Sequence, residues 1–265
     1  MTLPGQRRDA TWMLFDAPLT PTPAPPTAGD GLDATLLAWS AQLEGGVKFS
    51  RPVGGSALHL RAELPLPEDA ASDEDAQSGF GAVEAGFAAA ARQLGIDSPH
   101  VGVSPPPESE GELPDMASLC AETGWPFDER AEGGVAIDLA VPGLCLPAHV
   151  EAREAGIFLQ AELTEAPRSP RACREALAAL LLGINAAHRM VRGVFRNDLG
   201  ASGDARAWLE AWLPGNASSS QLGEAIASAA VAARHCALEA RCLAGDERLA
   251  RAFLARSREA GERSK

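Results

Sequence analysis

One pattern constrains the fold of this chain more than any other. An apolar–polar alternation closes near a turn and leads into an alanine-rich stretch, and it does so three times. The segments are "LHLRAELPLPEDA" at 58–70, "IFLQAELTEAP" at 157–167 and "WLEAWLPGNA" at 208–217. Alternation at period two gives a strand one apolar row and one polar row. The stretches that follow, such as "FGAVEAGFAAAARQL" and "LGEAIASAAVAARHCAL", read as helices that cover the apolar row.

The C-terminal half shows the plan most clearly. Asp115 is placed to N-cap a short helix that Gly124 and Pro126 end. Strands are expected at 133–141 and 144–154 with Pro142-Gly143 as the turn between them, and a third at 156–163. Ser169-Pro170 marks a helix start, and Leu177, Leu181, Ile184 and His188 form one stripe along that helix. Strands follow at 190–198 and 204–214. Ser218 with Gln221 fits a capping box opening the next helix. The order is α-β-β-β-α-β-β-α.

The first part of the chain repeats the second half of that plan. A helix end leads to a strand with Phe49 or Phe195, then a glycine turn, then an alternating strand closed by Leu64-Pro65 or Leu213-Pro214. "TWMLFDAPL" at 11–19 stands where "GIFLQAEL" stands in the later block. The expected fold class is therefore α+β: antiparallel sheets with helices packed on one face, in two related units. The first unit, 1–96, is a truncated copy, β-α-β-β-α. A Pro-, Gly- and acid-rich linker at 97–113 leads to the complete unit, 114–243, and a basic helix or tail covers 244–265. A second linker-like run spans 20–31.

Composition removes several classes of work. A net charge of −13 argues against a general nucleic-acid binder, which needs basic surface to neutralise phosphates. No apolar run reaches the roughly 20 residues of a membrane span, and the N-terminus lacks a signal-type apolar region. Five scattered cysteines favour reduced thiols in a cytoplasm over a disulfide framework. Two lysines among many arginines, with no tyrosine, fit a GC-rich bacterial genome.

"ASLCAETGWPFDERAEGGVAIDLAV" and "LLLGINAAHRMVRGVF", in the α-β-β-β-α-β-β-α order, resemble class I type III secretion chaperones. "LLAWSAQLEGGVKF" with "LHLRAELPL" resembles equally the YbjN-type sensory-transduction regulators, which share that fold. The resemblance covers most of 113–243 and, more loosely, 11–95. It implies a small, acidic, cytoplasmic, non-catalytic protein. Its partner would be a protein client or a secretion component, or, in the YbjN-type alternative, a partner that is not secreted. The secretion chaperones are homodimers that hold a client segment unfolded around their surface. This chain has about twice the usual length and one truncated copy, which implies a fused pseudo-dimer, alone or further paired as a homodimer.

Candidate chemistry is sparse. His59 and His149 fall on the polar side of strands, His188 ends a helix stripe, His100 lies in the linker and His235 in a helix. No pair has the i, i+4 spacing of a metal site, so scattered structural histidines are expected and no metal or cofactor. Cys236 and Cys242 fall on different helix faces. "GASGD" at 200–204 lacks the spacing of a nucleophile elbow and reads as a hairpin turn. The acidic run at 68–76 reads as a solvated loop. No catalytic residue is expected. One strand stands out: Leu209, Ala211 and Leu213 share a face, and Trp208 and Trp212 share the opposite one. Phe158 likewise sits opposite Ile157 and Leu159. A strand apolar on both sides is packed on both sides or presents one face to a ligand or another chain. Trp208, Trp212 and Phe158 are the candidate partner-binding residues, with inter-copy packing and a small-molecule pocket as the other readings.

Overall fold

The structure is a computed structural model that describes residues 12–19, 32–43, 45–53, 57–65, 73–94, 113–130, 133–154, 156–196 and 205–263. The linkers at 20–31 and 97–112, and the expected turn at 200–204, lie outside the described residues. The chain is α+β, with two antiparallel sheets.

The first unit contains β1 (Trp12–Leu19), α1 (Leu32–Ser40), β2 (Lys48–Ser50), β3 (Leu58–Pro65) and α2 (Asp73–Gln93). Its sheet order is β1-β3-β2. The acidic run expected as a loop ends inside α2, whose first residues are Asp73, Glu74 and Asp75.

The second unit opens with α3 (Met116–Thr123). Asp115 caps it by accepting from Ala117 N, and left-handed Gly124, at φ 75°, ends it. The strands β4 (Asp128–Glu129), β5 (Val135–Asp138), β6 (Pro147–Arg153) and β7 (Gly156–Ala166) precede α4 (Arg171–Ala187). Next come β8 (Val191–Arg196), β9 (Ala205–Leu213), α5 (Ser219–Gly245) and α6 (Glu247–Arg263). The sheet order is β4-β5-β6-β7-β9-β8.

Departures from the expected elements have local causes. The two-residue β4 was not foreseen, because two exposed acids carry no alternation. β5 is shorter than expected because the Asp138 side chain accepts from Ala140 N at 3.1 Å and Leu146 N at 3.4 Å, and Ala140 takes a φ of 49°. Pro170 lies just outside α4, as its extended N-cap residue, instead of in the first turn. The capping box at Ser218 and Gln221 is formed. α6 is a 17-residue helix that packs on α4, with Ala250 and Phe253 buried.

The sheet of the second unit buries Leu159, Ala161, Leu163, Leu209, Ala211 and Leu213 beneath helices that include α4 and α5. Leu177 and Leu181 of α4 and Ile226, Ala229 and Ala233 of α5 are fully buried. Each buried leucine contributes about 1.5–3 kcal/mol relative to an exposed one. β7-β9-β8 runs in the same order and sense as β1-β3-β2, and α1 and α4 occupy equivalent places in the chain. The second unit adds three strands outside β7.

Candidate functional site

The register of the central strands sets out the candidate face. Across β7 and β9, Phe158 stands opposite Trp212, Gln160 opposite Glu210 and Glu162 opposite Trp208. On β6, His149 stands opposite Gln160 and Glu151 opposite Phe158. On β8, Arg192 stands opposite Glu210 and Val194 opposite Trp208. These residues share the face turned away from the buried Leu159–Leu209 row.

The three aromatic candidates differ in setting. Trp212 is 6% exposed and packs towards the first unit: a Cβ on Gly46 would meet its ring at 3.7 Å. On its other side is Gly156, where a Cβ would lie 2.8 Å from Trp212 Nε1 and 2.3 Å from Leu213 O. The indole therefore fits against Gly156 only because that residue lacks a side chain, while its contact with Gly46 is at ordinary van der Waals distance. Trp208 and Phe158 are half-buried, and the Arg153 guanidinium lies 5.0 Å over the Phe158 ring. Two atoms of this face are buried without a hydrogen-bond partner, Trp208 Nε1 and His149 Nδ1. Buried polar groups are nearly always paired, so these two atoms are exceptions on this face. Burial lowers the pKa of His149, and Arg130 lowers it further.

Between the tryptophans lies an ion-pair network that the sequence reading missed. Glu210, 1% exposed, accepts from Arg192 Nε at 3.1 Å and Gln160 Nε2 at 3.1 Å, and pairs with Arg196. Arg192 then reaches into the first unit, donating to Leu43 O at 2.8 Å and Val47 O at 3.2 Å. The first unit reciprocates. Lys48, at the start of β2, pairs with Glu63 of β3 at 2.9 Å. Its ammonium also donates to His188 O at 2.8 Å, at the end of α4, and to Val191 O at 2.9 Å, the first residue of β8. Each unit thus places a cation, neutralised by its own carboxylate, on carbonyls that precede or open the partner unit's Phe-bearing strand.

Further bonds close this seam. Met190 N donates to Glu63 Oε2 at 2.7 Å, Arg61 to Ala186 O at 2.7 Å and Arg51 N to Leu182 O at 3.2 Å. Asn185, fully buried in α4, donates to Phe49 O at 2.8 Å and Gly193 O at 3.1 Å. Burial pulls both Lys48 and Arg192 below their ordinary pKa values, and the facing carboxylates partly offset this. Removing one member of a buried pair costs about 3–5 kcal/mol, because the other is left uncompensated. The available sequence signal was a lysine one position, and an arginine three positions, before the phenylalanine of its strand.

The histidines are not all scattered, which corrects the expectation. His188, the C-cap residue of α4, and His235 of α5 meet with Nε2 and Nδ1 3.2 Å apart. His59 instead pairs with Asp16 at 2.8 Å. Among the described residues no group of three or more His, Cys, Asp or Glu side chains is placed to hold a metal ion. Burial pushes the Cys120 thiol up to about 11 and the Cys236 thiol up to about 12, which keeps both protonated and poorly nucleophilic. Among the described residues no helix is long and apolar enough to cross a membrane. Compared with protein-family models, curated proteins and solved structures, the chain has no match in any of the three.

Proposed function

We propose that this chain is a non-catalytic, cytoplasmic protein-binding module of the class I type III secretion chaperone type. In this reading its two units form a pseudo-dimer within one polypeptide, and a protein client lies across the sheet face bearing Trp208 and Phe158. The observation that carries the reading is Trp208 itself. It is a half-buried indole with an unmet N–H, beside Phe158, on a sheet whose other face is sealed by helices. Tryptophan is favoured at binding hot spots because one side chain supplies a large apolar area and one donor. The part of the indole that remains at the surface is apolar ring area, which a client side chain would cover. Trp212 serves the seam instead, which leaves Trp208 and Phe158 as the contact pair.

The test separates the two tryptophans. Trp208→Ala should weaken client binding by roughly 30-fold, the equivalent of about 2 kcal/mol at a hot spot, with little change in melting temperature. Trp212→Ala should lower stability by about 3–5 kcal/mol. Binding is measured by cross-linking from a photoreactive residue at position 160 to co-expressed candidate clients, and stability by urea titration. A Trp208→Ala variant that binds every client normally overturns the groove. A client that is retained inside the cell and never exported favours the YbjN-type alternative.

A further inference from the structure

His188 and His235 are 47 positions apart in the chain, yet their ring nitrogens face each other at 3.2 Å. The ring centroids are 5.1 Å apart and the planes are inclined by 51°. A head-on hydrogen bond at this nitrogen separation would place the ring centres about 5.5 Å apart, so at least one ring is inclined away from the nitrogen–nitrogen line. Two imidazoles bound to one first-row metal ion at about 2.1 Å, with an angle near 100° between them, have donor atoms about 3.2 Å and ring centres about 5 Å apart. The observed separations fit that arrangement and equally a bent hydrogen bond between the two rings.

We infer that His188 and His235 form a two-histidine site for a divalent transition-metal ion of the Ni²⁺, Cu²⁺ or Zn²⁺ kind. Imidazole is a favoured donor for these ions, and the remaining coordination positions fall to water or to a donor from a bound molecule. Both ligands are fixed by the fold. The His188 backbone is held at each side, its N–H bonded to Ile184 O at 2.9 Å and its carbonyl to the Lys48 ammonium at 2.8 Å. His235 sits in the middle of α5, which packs along α4. The Lys48 charge that would oppose a nearby cation is neutralised by Glu63 at 2.9 Å. His235 is exposed, so an ion reaches the site from solvent without any opening of the fold. Bound there, the ion would tie α5 to the connection on which the first unit is anchored.

The tag-free full chain, stripped with chelator, is titrated with Ni²⁺ at neutral pH by calorimetry, and Cu²⁺ is followed by electron paramagnetic resonance. The expected result is one equivalent of ion with nitrogen hyperfine coupling from imidazole. His235→Gln should weaken Ni²⁺ binding at least tenfold and abolish the ion-induced rise in melting temperature. His59→Gln, which changes a histidine paired with Asp16, should leave both unchanged. Because His235 is exposed, its replacement keeps the fold, and circular dichroism verifies that. Absence of binding, or binding that His235→Gln does not alter, overturns the site.

Discussion

The two units share one strand order and differ in how much each depends on the other. In β7-β9-β8 the strands are long, β7 is covered on its outer edge by β6, and α5 runs for 27 residues over the sheet. In β1-β3-β2 the sheet has three strands, and β2 spans only Lys48–Ser50. Among the described residues the first unit has the smaller buried core, so it has less apolar burial of its own to stabilise it. The ion pairs show the same inequality. Glu210 finds Arg192, Arg196 and Gln160 within its own unit, whereas Glu63 draws on Met190 N of the other. One topology can therefore be written as a self-sufficient domain and as an appendage, and the outer strands and polar partners decide which.

The largest expected effect tests this dependence directly. A fragment spanning 113–265 should retain a cooperative thermal transition, and a fragment spanning 1–96 should show none, as read by circular dichroism and amide exchange. A folded 1–96 fragment would break the comparison. Next in size are the seam ion pairs. Glu210→Gln should cost about 3–5 kcal/mol in urea unfolding, since it leaves the buried Arg192 without a counter-charge. Lys48→Met should cost a comparable amount, because it leaves the buried Glu63 without its counter-charge and His188 O and Val191 O without a donor. It should loosen the first unit selectively, seen as faster amide exchange in β2 and β3 than in β7 and β9.

The smallest effect is a pH dependence at His149 on β6. Burial, with Arg130 nearby, holds the His149 pKa below its ordinary value, so the folded state resists protonation there. Its contribution to stability is complete above the unfolded value of about 6.5 and is lost as pH falls from there towards the folded pKa. Between pH 7.5 and 5, the urea midpoint should fall further for the native chain than for His149→Gln. Equal falls would mean that His149 is solvated in the folded protein.

Local features were legible in the sequence because their causes are local. Asp115 as a cap, Gly124 as a stop, the Pro142-Gly143 turn and the Ser218–Gln221 box each involve residues within a few positions of one another. The alternation in β7 and β9 announced which row faces the core. The seam was not legible. Lys48 finds its carbonyls 140 and 143 positions away and Arg192 finds its own 149 and 145 away, and no periodicity marks such pairs. The aromatic candidates show the same limit. Trp208 and Trp212 have the same place in the alternation, and only the tertiary approach of Gly46 separates a seam residue from a surface one.

The reach of Lys48 also sets an order of events during synthesis. The ammonium of residue 48 leaves the ribosome long before His188 and Val191, the residues that will receive it. At roughly 5–20 residues per second, the 140 intervening positions take about 7–28 s to translate. Throughout that interval the segments of β2 and β3 have been made but the carbonyls of their neighbour have not, and both segments remain open to water and to other nascent chains. The half that is made first is completed last.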